Sequence, residues 1–149
     1  ARATAISETY RSGGTSKPIA DAHDALAYAL VRMPATYAAV TACLHALMEA
    51  RPDFAPVSQL DAGAGPGTAA WACVEAFPSL TDVVLLDANP ALRTLALTLM
   101  EQHAHLAHAG YRQGDVRTTL ENSPATDLVT ASYVLGELRE ADQGAFADL

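Results

Sequence analysis

The sequence predicts an α/β fold, in which a parallel sheet is wound on both faces with crossover helices. Three observations lead to this prediction. A short strand-like run, residues 57–60, breaks into an acid and three alternating glycines before an Ala-rich helical stretch. Two further strand-like runs end in acids, at Asp87 and Asp115, and a fourth run occupies residues 127–133. Strand-like runs that alternate with helical stretches are typical of parallel sheets.

The first 56 residues are expected to form an arm followed by a helical extension. Residues 1–17 are polar and contain glycine, which predicts a mobile arm. Residues 18–33 and 36–50 carry apolar side chains at helical spacing, and residues 51–56 form the predicted linker. We therefore place the domain boundary before residue 57, so that residues 57–149 hold the whole sheet.

Residues 61–68, Asp-Ala-Gly-Ala-Gly-Pro-Gly-Thr, predict a ligand-binding turn between the first strand and the helix that follows it. Gly63, Gly65 and Gly67 would let the backbone turn sharply and approach a ligand where a Cβ atom would clash. The helix after the turn presents unpaired N–H groups at its positive end. This combination favours a nucleotide cofactor.

Two residues at the edges of this turn separate the candidate cofactors. Thr68 stands where the dinucleotide-binding fingerprint has its third glycine. Asp61 would add a fixed negative charge, which suits a cationic group such as that of S-adenosylmethionine better than a pyrophosphate. S-adenosylmethionine is therefore the expected cofactor, and an NAD-dependent oxidoreductase remains a second alternative.

A second acid lies where a nucleotide cofactor needs one. Residues 83–86 are apolar and predict a buried strand that ends at Asp87. In a doubly wound sheet this carboxylate, roughly 20 residues beyond the glycine turn, can accept hydrogen bonds from both ribose hydroxyls. Asn89 and Pro90 then predict the cap and the first position of the next helix.

With these motifs in order, residues 57–138 resemble a class I, Rossmann-like S-adenosylmethionine-dependent methyltransferase. Three strings narrow the resemblance to the methyltransferase-like family of the mitochondrial ribosomal small subunit and its bacterial relatives: residues 10–14, 32–38 and 131–138. The resemblance implies a role in translation, in which a protein associated with the small subunit methylates rRNA. A non-catalytic assembly or binding module that retains the fold is the alternative.

The resemblance also implies further site residues. An acid after the third strand typically accepts a hydrogen bond from the adenine amino group while its neighbour packs on the ring, which points to Asp115 and Val116 as cofactor-binding residues. The end of the fourth strand faces the transferable methyl group in this architecture. Ser132, Tyr133 and Glu137 are therefore candidates for contact with the reacting groups, or for packing; the methyl acceptor is left open.

The chain is expected to be the N-terminal portion of a longer protein. A complete fold of this class has further strands, so this chain is interpreted as truncated after the fourth one. A sheet edge left uncovered in this way would favour self-association. The resemblance implies an iron–sulfur cluster built from C-terminal cysteines, none of which is present here. No metal is expected at His103, His105 and His108, because no cysteine or acid lies near enough in sequence to complete a site.

The charge distribution argues against nucleic-acid binding by this chain alone. Residues 1–56 hold five Lys/Arg and five Asp/Glu, whereas residues 57–149 hold four and twelve, which accounts for the net charge of −8. Such a surface repels phosphate, so tight RNA binding would need basic residues of the N-terminal part (Arg2, Arg11, Lys17 and Arg32) or a missing segment. With no signal peptide or membrane span in the sequence, a cytoplasmic location is expected, with Cys43 and Cys73 reduced and filling the core.

Overall fold

The structure of the chain is a computed structural model that describes residues 19–120, 123–137 and 143–144. The predicted arm at residues 1–17 lies outside the described residues, as do Arg2, Arg11 and Lys17. The elements are, in order, α1 (Ala22–Ala50), β1 (Ser58–Ala62), α2 (Thr68–Ala76), β2 (Asp82–Asp87), α3 (Pro90–Met100), β3 (Gly110–Gln113), α4 (Val116–Leu120), β4 (Leu128–Thr130) and a 3-10 turn (Val134–Glu137).

The four strands form one parallel sheet in the order β3-β2-β1-β4. At its centre, Leu60 of β1 pairs with Val84 of β2 on one side and with Val129 of β4 on the other. The chain order reverses between β1 and β4, which is where ligands bind in open sheets of this kind. The predicted α/β fold is confirmed, and its switch point lies beside the glycine turn.

The core lies between the sheet and the helices that cross it. Val83, Leu85 and Leu86 of β2 are buried, as the apolar run predicted. The alanines of α2 let that helix pack closely on the sheet, and Cys73 of the same helix is fully buried. Burial raises the pKa of the Cys73 thiol to about 12, so it stays protonated as a core residue. Cys43 differs from the prediction, because it is exposed on α1.

Helix α1 is continuous, although the sequence suggested two helical segments separated near Pro34. Proline removes one backbone donor and normally breaks a helix. Here the missing N–H group of Pro34 leaves the Leu30 carbonyl without its helical hydrogen bond. Both residues lie on the exposed face of α1, where water can bind that carbonyl. Packing of the opposite face against α2 and α3 then holds the two halves in one helix.

The structure corrects the predicted ends of the third and fourth strands. We expected the third strand to end at Asp115 and the fourth to reach Tyr133. The structure ends β3 at Gln113, begins the short α4 at Val116, and ends β4 at Thr130. A Gly-Asp turn breaks the strand before Val116, as such pairs commonly do.

The histidines of residues 103–108 lie in turns rather than on a helix, because α3 ends at Met100. The His103 ring packs edge-on against Trp71 with centroids 4.6 Å apart, and the His105 Nδ1 atom donates to the Leu80 carbonyl at 3.2 Å. Within the described residues no group of three His, Cys, Asp or Glu side chains could hold a metal ion. The described helices also include none that is long and apolar enough to cross a membrane.

Candidate cofactor site

The carboxyl ends of β1 and β4 meet at a cleft between the glycine turn and α1. Helix α1 forms its roof, the turn forms its floor, and the segment after β4 closes one side. The lining residues are Tyr28, Arg32, Met33 and Thr36 of α1; Asp61, Gly63, Ala64, Gly65, Pro66, Thr68 and Ala69 of the floor; and Ser132 and Tyr133 at the side. The cleft therefore brings together residues from both predicted domains.

Backbone hydrogen bonds fix the glycine turn to the neighbouring strands. The N–H groups of Gly63 and Ala64 both donate to the Leu86 carbonyl, at 2.8 and 3.0 Å. From β3, the Tyr111 hydroxyl donates to the Gly65 carbonyl at 3.0 Å. This support could not be predicted from local sequence, because Tyr111 lies 46 residues along the chain from Gly65.

All three glycines of the turn have positive φ angles, between 53° and 83°, which other residues rarely adopt. A Cβ atom would come within 2.3 Å of Val134 at Gly63 and within 2.1 Å of Met100 at Gly67, whereas at Gly65 the nearest atom is 3.8 Å away. At Gly63 and Gly67 the protein's own side chains leave no room for a Cβ atom, and the close approach of a ligand to these two glycines stays a prediction. It stands as a prediction for Gly65 as well.

Asp87 joins the glycine turn to the start of α3. Its Oδ2 atom accepts from the Gly65 N–H at 2.8 Å, and its Oδ1 atom accepts from the Asn89 N–H at 2.7 Å. Burial raises the pKa of Asp87, and these backbone donors partly oppose that effect. Asn89 caps α3 as predicted, because its Oδ1 accepts from Ala91 and Leu92 at 2.9 and 3.1 Å. Asp87 lies at the end of β2, which is where a ribose contact requires an acid. The contact itself stays a prediction.

Asp61 is buried at the end of β1, with 1% of its surface exposed. The Thr130 hydroxyl donates to its Oδ1 atom at 2.9 Å, and the Gln59 side-chain amide donates to Thr130 at 3.0 Å. Oδ2 has no hydrogen-bond partner among the described residues, and the nearby Ala70 amide lowers the pKa of Asp61 without completing a bond to that oxygen. Gln59 and Thr130 were missed by sequence reasoning, although alternation along β1 places Gln59 on the same face as Asp61.

The surroundings of Asp61 oppose its negative charge, while its role towards a cationic ligand stays a prediction. Burial raises its pKa to about 7, and the neighbouring Asp87 carboxylate adds to this effect, while Thr130 and the Ala70 amide oppose it. The uncharged carboxylic acid is therefore more favoured at Asp61 than at an exposed aspartate. A cationic group of a ligand would favour the charged form.

Asp61→Asn is expected to change how stability depends on pH. A carboxyl group whose pKa is higher in the folded than in the unfolded state stabilises the fold at low pH, and this contribution is lost as pH rises towards the folded pKa of about 7. The wild type should therefore lose up to about 3 kcal/mol relative to Asp61→Asn between pH 5 and pH 8. Urea unfolding of both proteins at the two pH values measures the difference. If the difference in unfolding free energy between the two proteins is the same at pH 5 and pH 8, the pKa of Asp61 is that of an ordinary aspartate.

The predicted adenine residues lie beside Asp87. Pairing of β2 with β3 brings the segment after β3 to the same edge of the sheet, where the Gly114 N–H donates to the Asp87 carbonyl at 3.1 Å. Asp115 follows as an exposed residue, and Val116 is half-buried at the start of α4. Their contact with adenine remains a prediction.

The residues after β4 reach the other side of the cleft. Ser132 is half-buried and Tyr133 is 56% exposed, and both line the cleft. Tyr133 has a φ angle of 65°, a strained conformation that is often found at functional sites. Glu137 lies in the 3-10 turn, but its side chain is outside the described part of the chain. Ser132 and Tyr133 thus line the cleft, and their contact with a ligand, like any role of Glu137, stays a prediction.

A parallel sheet with this strand order, a glycine turn after β1 and an acid at the end of β2 defines a protein of the class I, Rossmann-like methyltransferase fold. Within this class, the chain belongs to the family described as mitochondrial small ribosomal subunit Rsm22, whose sequence profile matches residues 22–148. Among curated proteins, no relative matches the chain.

Solved structures share the fold at low sequence identity. One is a protein of Methanococcus maripaludis assigned to the S-adenosylmethionine-dependent methyltransferases (TM-score 0.62, 16% identity, 84% of this chain and 56% of that chain). Another is the plantazolicin methyltransferase BpumL bound to a substrate analogue and SAH (0.61, 15%, 99% and 51%). A third is human N-acetylserotonin methyltransferase bound to SAM (0.52, 17%, 90% and 39%).

The chain spans about half the length of the first two of these structures. At such identities the likeness concerns the fold alone. It gives no support to the alternative of an NAD-dependent oxidoreductase, since the three matches described are methyltransferases.

Proposed function

We propose that this chain binds S-adenosylmethionine and forms the cofactor-binding part of a methyltransferase that acts on the RNA of the small ribosomal subunit. The observation that carries the proposal is the position of Asp61 and Asp87. They stand at the ends of adjacent strands and flank a glycine turn with a positive φ angle at Gly65. The membership of the Rsm22 family supports the ribosomal part of the proposal.

The residues of the cleft fit the cofactor's chemistry. The Asp61 Oδ2 atom is buried, has no hydrogen-bond partner among the described residues, and can accept from an ammonium group. Asp87 keeps further lone pairs on both carboxylate oxygens for ribose hydroxyls, beyond those used by Gly65 and Asn89. Gly67 caps α2 without a side chain, so no capping side chain stands between the first turn of that helix and a polar group.

The chain's own residues would bind and orient the reactants. The cofactor, when bound, supplies an electrophilic methyl group on a sulfonium. Methyl transfer then needs the acceptor held in line with the methyl–sulfur bond and water kept out. Ser132 and Tyr133 line the side of the cleft where an acceptor would approach, and helix α1 covers the site from solvent. No described residue is needed as a general base in this arrangement.

A second candidate is a non-catalytic assembly module that retains the fold and binds the cofactor. The charge distribution favours it, because residues 57–149 hold twelve acids against four basic residues, and such a surface opposes RNA. In this case the binding of the cofactor would stabilise the folded state and regulate docking on the small subunit. Both candidates predict S-adenosylmethionine binding, and they differ in whether the methyl group is transferred. A cytoplasmic location is part of the proposal for both.

Radiolabelled S-adenosylmethionine and immature small subunits separate these candidates. We expect the 149-residue chain to transfer no label and to bind no RNA tightly near physiological salt, because its net charge of −8 opposes phosphate. A longer protein that contains this chain is expected to bind small-subunit particles and to methylate their RNA.

The outcomes have distinct meanings. Label transfer by the 149-residue chain would contradict the expectation that its negative charge keeps RNA away. Particle binding by the longer protein with cofactor bound, but without transfer, would favour the assembly module. A longer protein that binds cofactor and no particle would remove the ribosomal part of the proposal and leave the cofactor site.

A further inference from the structure

Helix α1, all of which the structure describes, has an exposed face without charge. Between positions 24 and 45 its exposed residues, here called the outer face, are all uncharged and apolar: Leu26, Leu30, Val31, Pro34, Ala35, Ala38, Ala39, Ala42 and Cys43. The two leucines are prominent, since 71% of Leu30 and 50% of Leu26 is exposed. Exposed helix faces of soluble proteins usually carry charged and polar residues. A long apolar face of this kind is typical of a surface that binds another protein.

The opposite side of α1 already has its contacts within the chain. Its residues that line the cleft are Tyr28, Arg32, Met33 and Thr36. Ala25, Ala29 and Leu44 are buried, and the helix packs on both α2 and α3. A partner can therefore bind the outer face without displacing a contact of the folded chain.

The outer face is complementary in shape to a second copy of itself, placed antiparallel. With a two-fold axis level with residue 36, each residue lies opposite the one that is equally far from that level in the other copy. The large Leu30 side chain of one copy then lies opposite the small Ala42 of the other. Leu26 likewise lies opposite Ala46, which is also exposed. Large side chains opposite small ones let two helices approach closely and interdigitate.

The same arrangement brings complementary groups together at both ends of the outer face. Asp21 of one copy lies opposite Arg51 of the other. His23, which can donate to a carboxylate, lies opposite Glu49, and all four residues are exposed. A parallel pair of helices would instead place each of these residues opposite its own copy, so that like charges meet. The charges thus favour an antiparallel second copy as the occupant of this face.

We propose that two copies of this chain form a two-fold dimer in which the outer faces of α1 pack antiparallel about the level of residue 36. The contact is isologous, because the same surface serves on both copies. It covers the exposed leucines of both chains. It also places the two clefts on opposite sides of the helix pair, since the cleft-lining residues of α1 lie on the side away from the outer face.

Sedimentation equilibrium of the 149-residue chain is expected to show a reversible dimer. Leu30→Glu should raise the dissociation constant of this dimer at least about 30-fold, because the two-fold axis buries the new charge twice without a partner. Leu99→Glu is the matched control. It makes the same substitution at a leucine of α3 that is 40% exposed and lies outside the outer face, so the dissociation constant should not change. Circular dichroism checks that both variants are folded.

Crosslinking through single cysteines tests the antiparallel arrangement without relying on Leu30→Glu. In a Cys43→Ser background, Ala35→Cys places a thiol next to the level of the axis, so a short thiol crosslinker can join the two copies. Ala46→Cys is the control, because its two copies lie about 30 Å apart along the helices at a rise of about 1.5 Å per residue. We expect crosslinked dimers with Ala35→Cys and none with Ala46→Cys.

Four other outcomes overturn the inference. The first is a chain that stays monomeric at its highest soluble concentration. A dimer that Leu30→Glu leaves intact would use another surface, such as the edge strand β4. Crosslinking of both cysteine variants would indicate parallel helices. Finally, a longer protein that contains this chain and gives no crosslink with Ala35→Cys would show that its own further residues cover the outer face.

Discussion

Asp87→Ala is expected to weaken the binding of S-adenosylmethionine at least about tenfold. Each hydrogen bond between a charged group and a partner contributes about 1.5–3 kcal/mol, so loss of even one ribose contact has this effect. The structure adds a second reason. The carboxylate holds the Gly65 and Asn89 backbone amides, at 2.8 and 2.7 Å, and thereby fixes the floor of the cleft.

Calorimetry with the cofactor measures this loss, and Asp82→Ala is the matched control. Asp82 is an exposed aspartate at the opposite end of the same strand, so its removal should leave affinity unchanged. Asp87→Asn separates the two reasons, because the amide retains one acceptor oxygen for a backbone N–H but removes the charge. Unchanged affinity in a folded Asp87→Ala protein would withdraw the ribose assignment.

Gly65→Val is expected to abolish detectable binding of the cofactor while the protein remains folded. In the ligand-free structure the nearest atom to a Cβ at Gly65 lies 3.8 Å away, so the added Cβ atom meets no protein atom closely there. The φ angle of 53° costs a non-glycine residue roughly 1–2 kcal/mol of stability. The larger effect falls on binding, because the valine would occupy space next to the backbone that the ligand approaches.

A matched substitution tests the specificity of this effect. Gly110→Val adds the same side chain at the start of β3, where a Cβ would make an ordinary contact 3.6 Å from Val84, and it should not alter cofactor affinity. Gly67→Val should instead destabilise the fold, because a Cβ there would come within 2.1 Å of Met100. If Gly65→Val binds the cofactor normally, the proposed close approach of a ligand loses its support. The same holds if Gly65→Val destabilises the fold as strongly as Gly67→Val is expected to do.

The sequence by itself determined those features that depend on neighbouring residues. The glycine turn follows from the need for positive φ angles over a few consecutive positions, and the cap at Asn89 follows from its place before Pro90. The unbroken apolar run of β2 predicts that this strand is buried. Asp87 directly follows that run, which predicts that it lies at the carboxyl end of the strand. These are local rules, so they need no knowledge of the fold beyond the alternation of strands and helices.

Tertiary structure decided the rest, because the interactions join residues that are far apart in sequence. Thr130 reaches Asp61 across 69 positions, and only the pairing of β1 with β4 shows that this carboxyl group is buried and shifted in pKa. Arg32 faces the cleft because a single continuous α1 packs on α2 and α3, which the proline in its sequence argued against. A sequence reveals which groups can carry charge, but the burial and partners that set their pKa and their role depend on which elements come together.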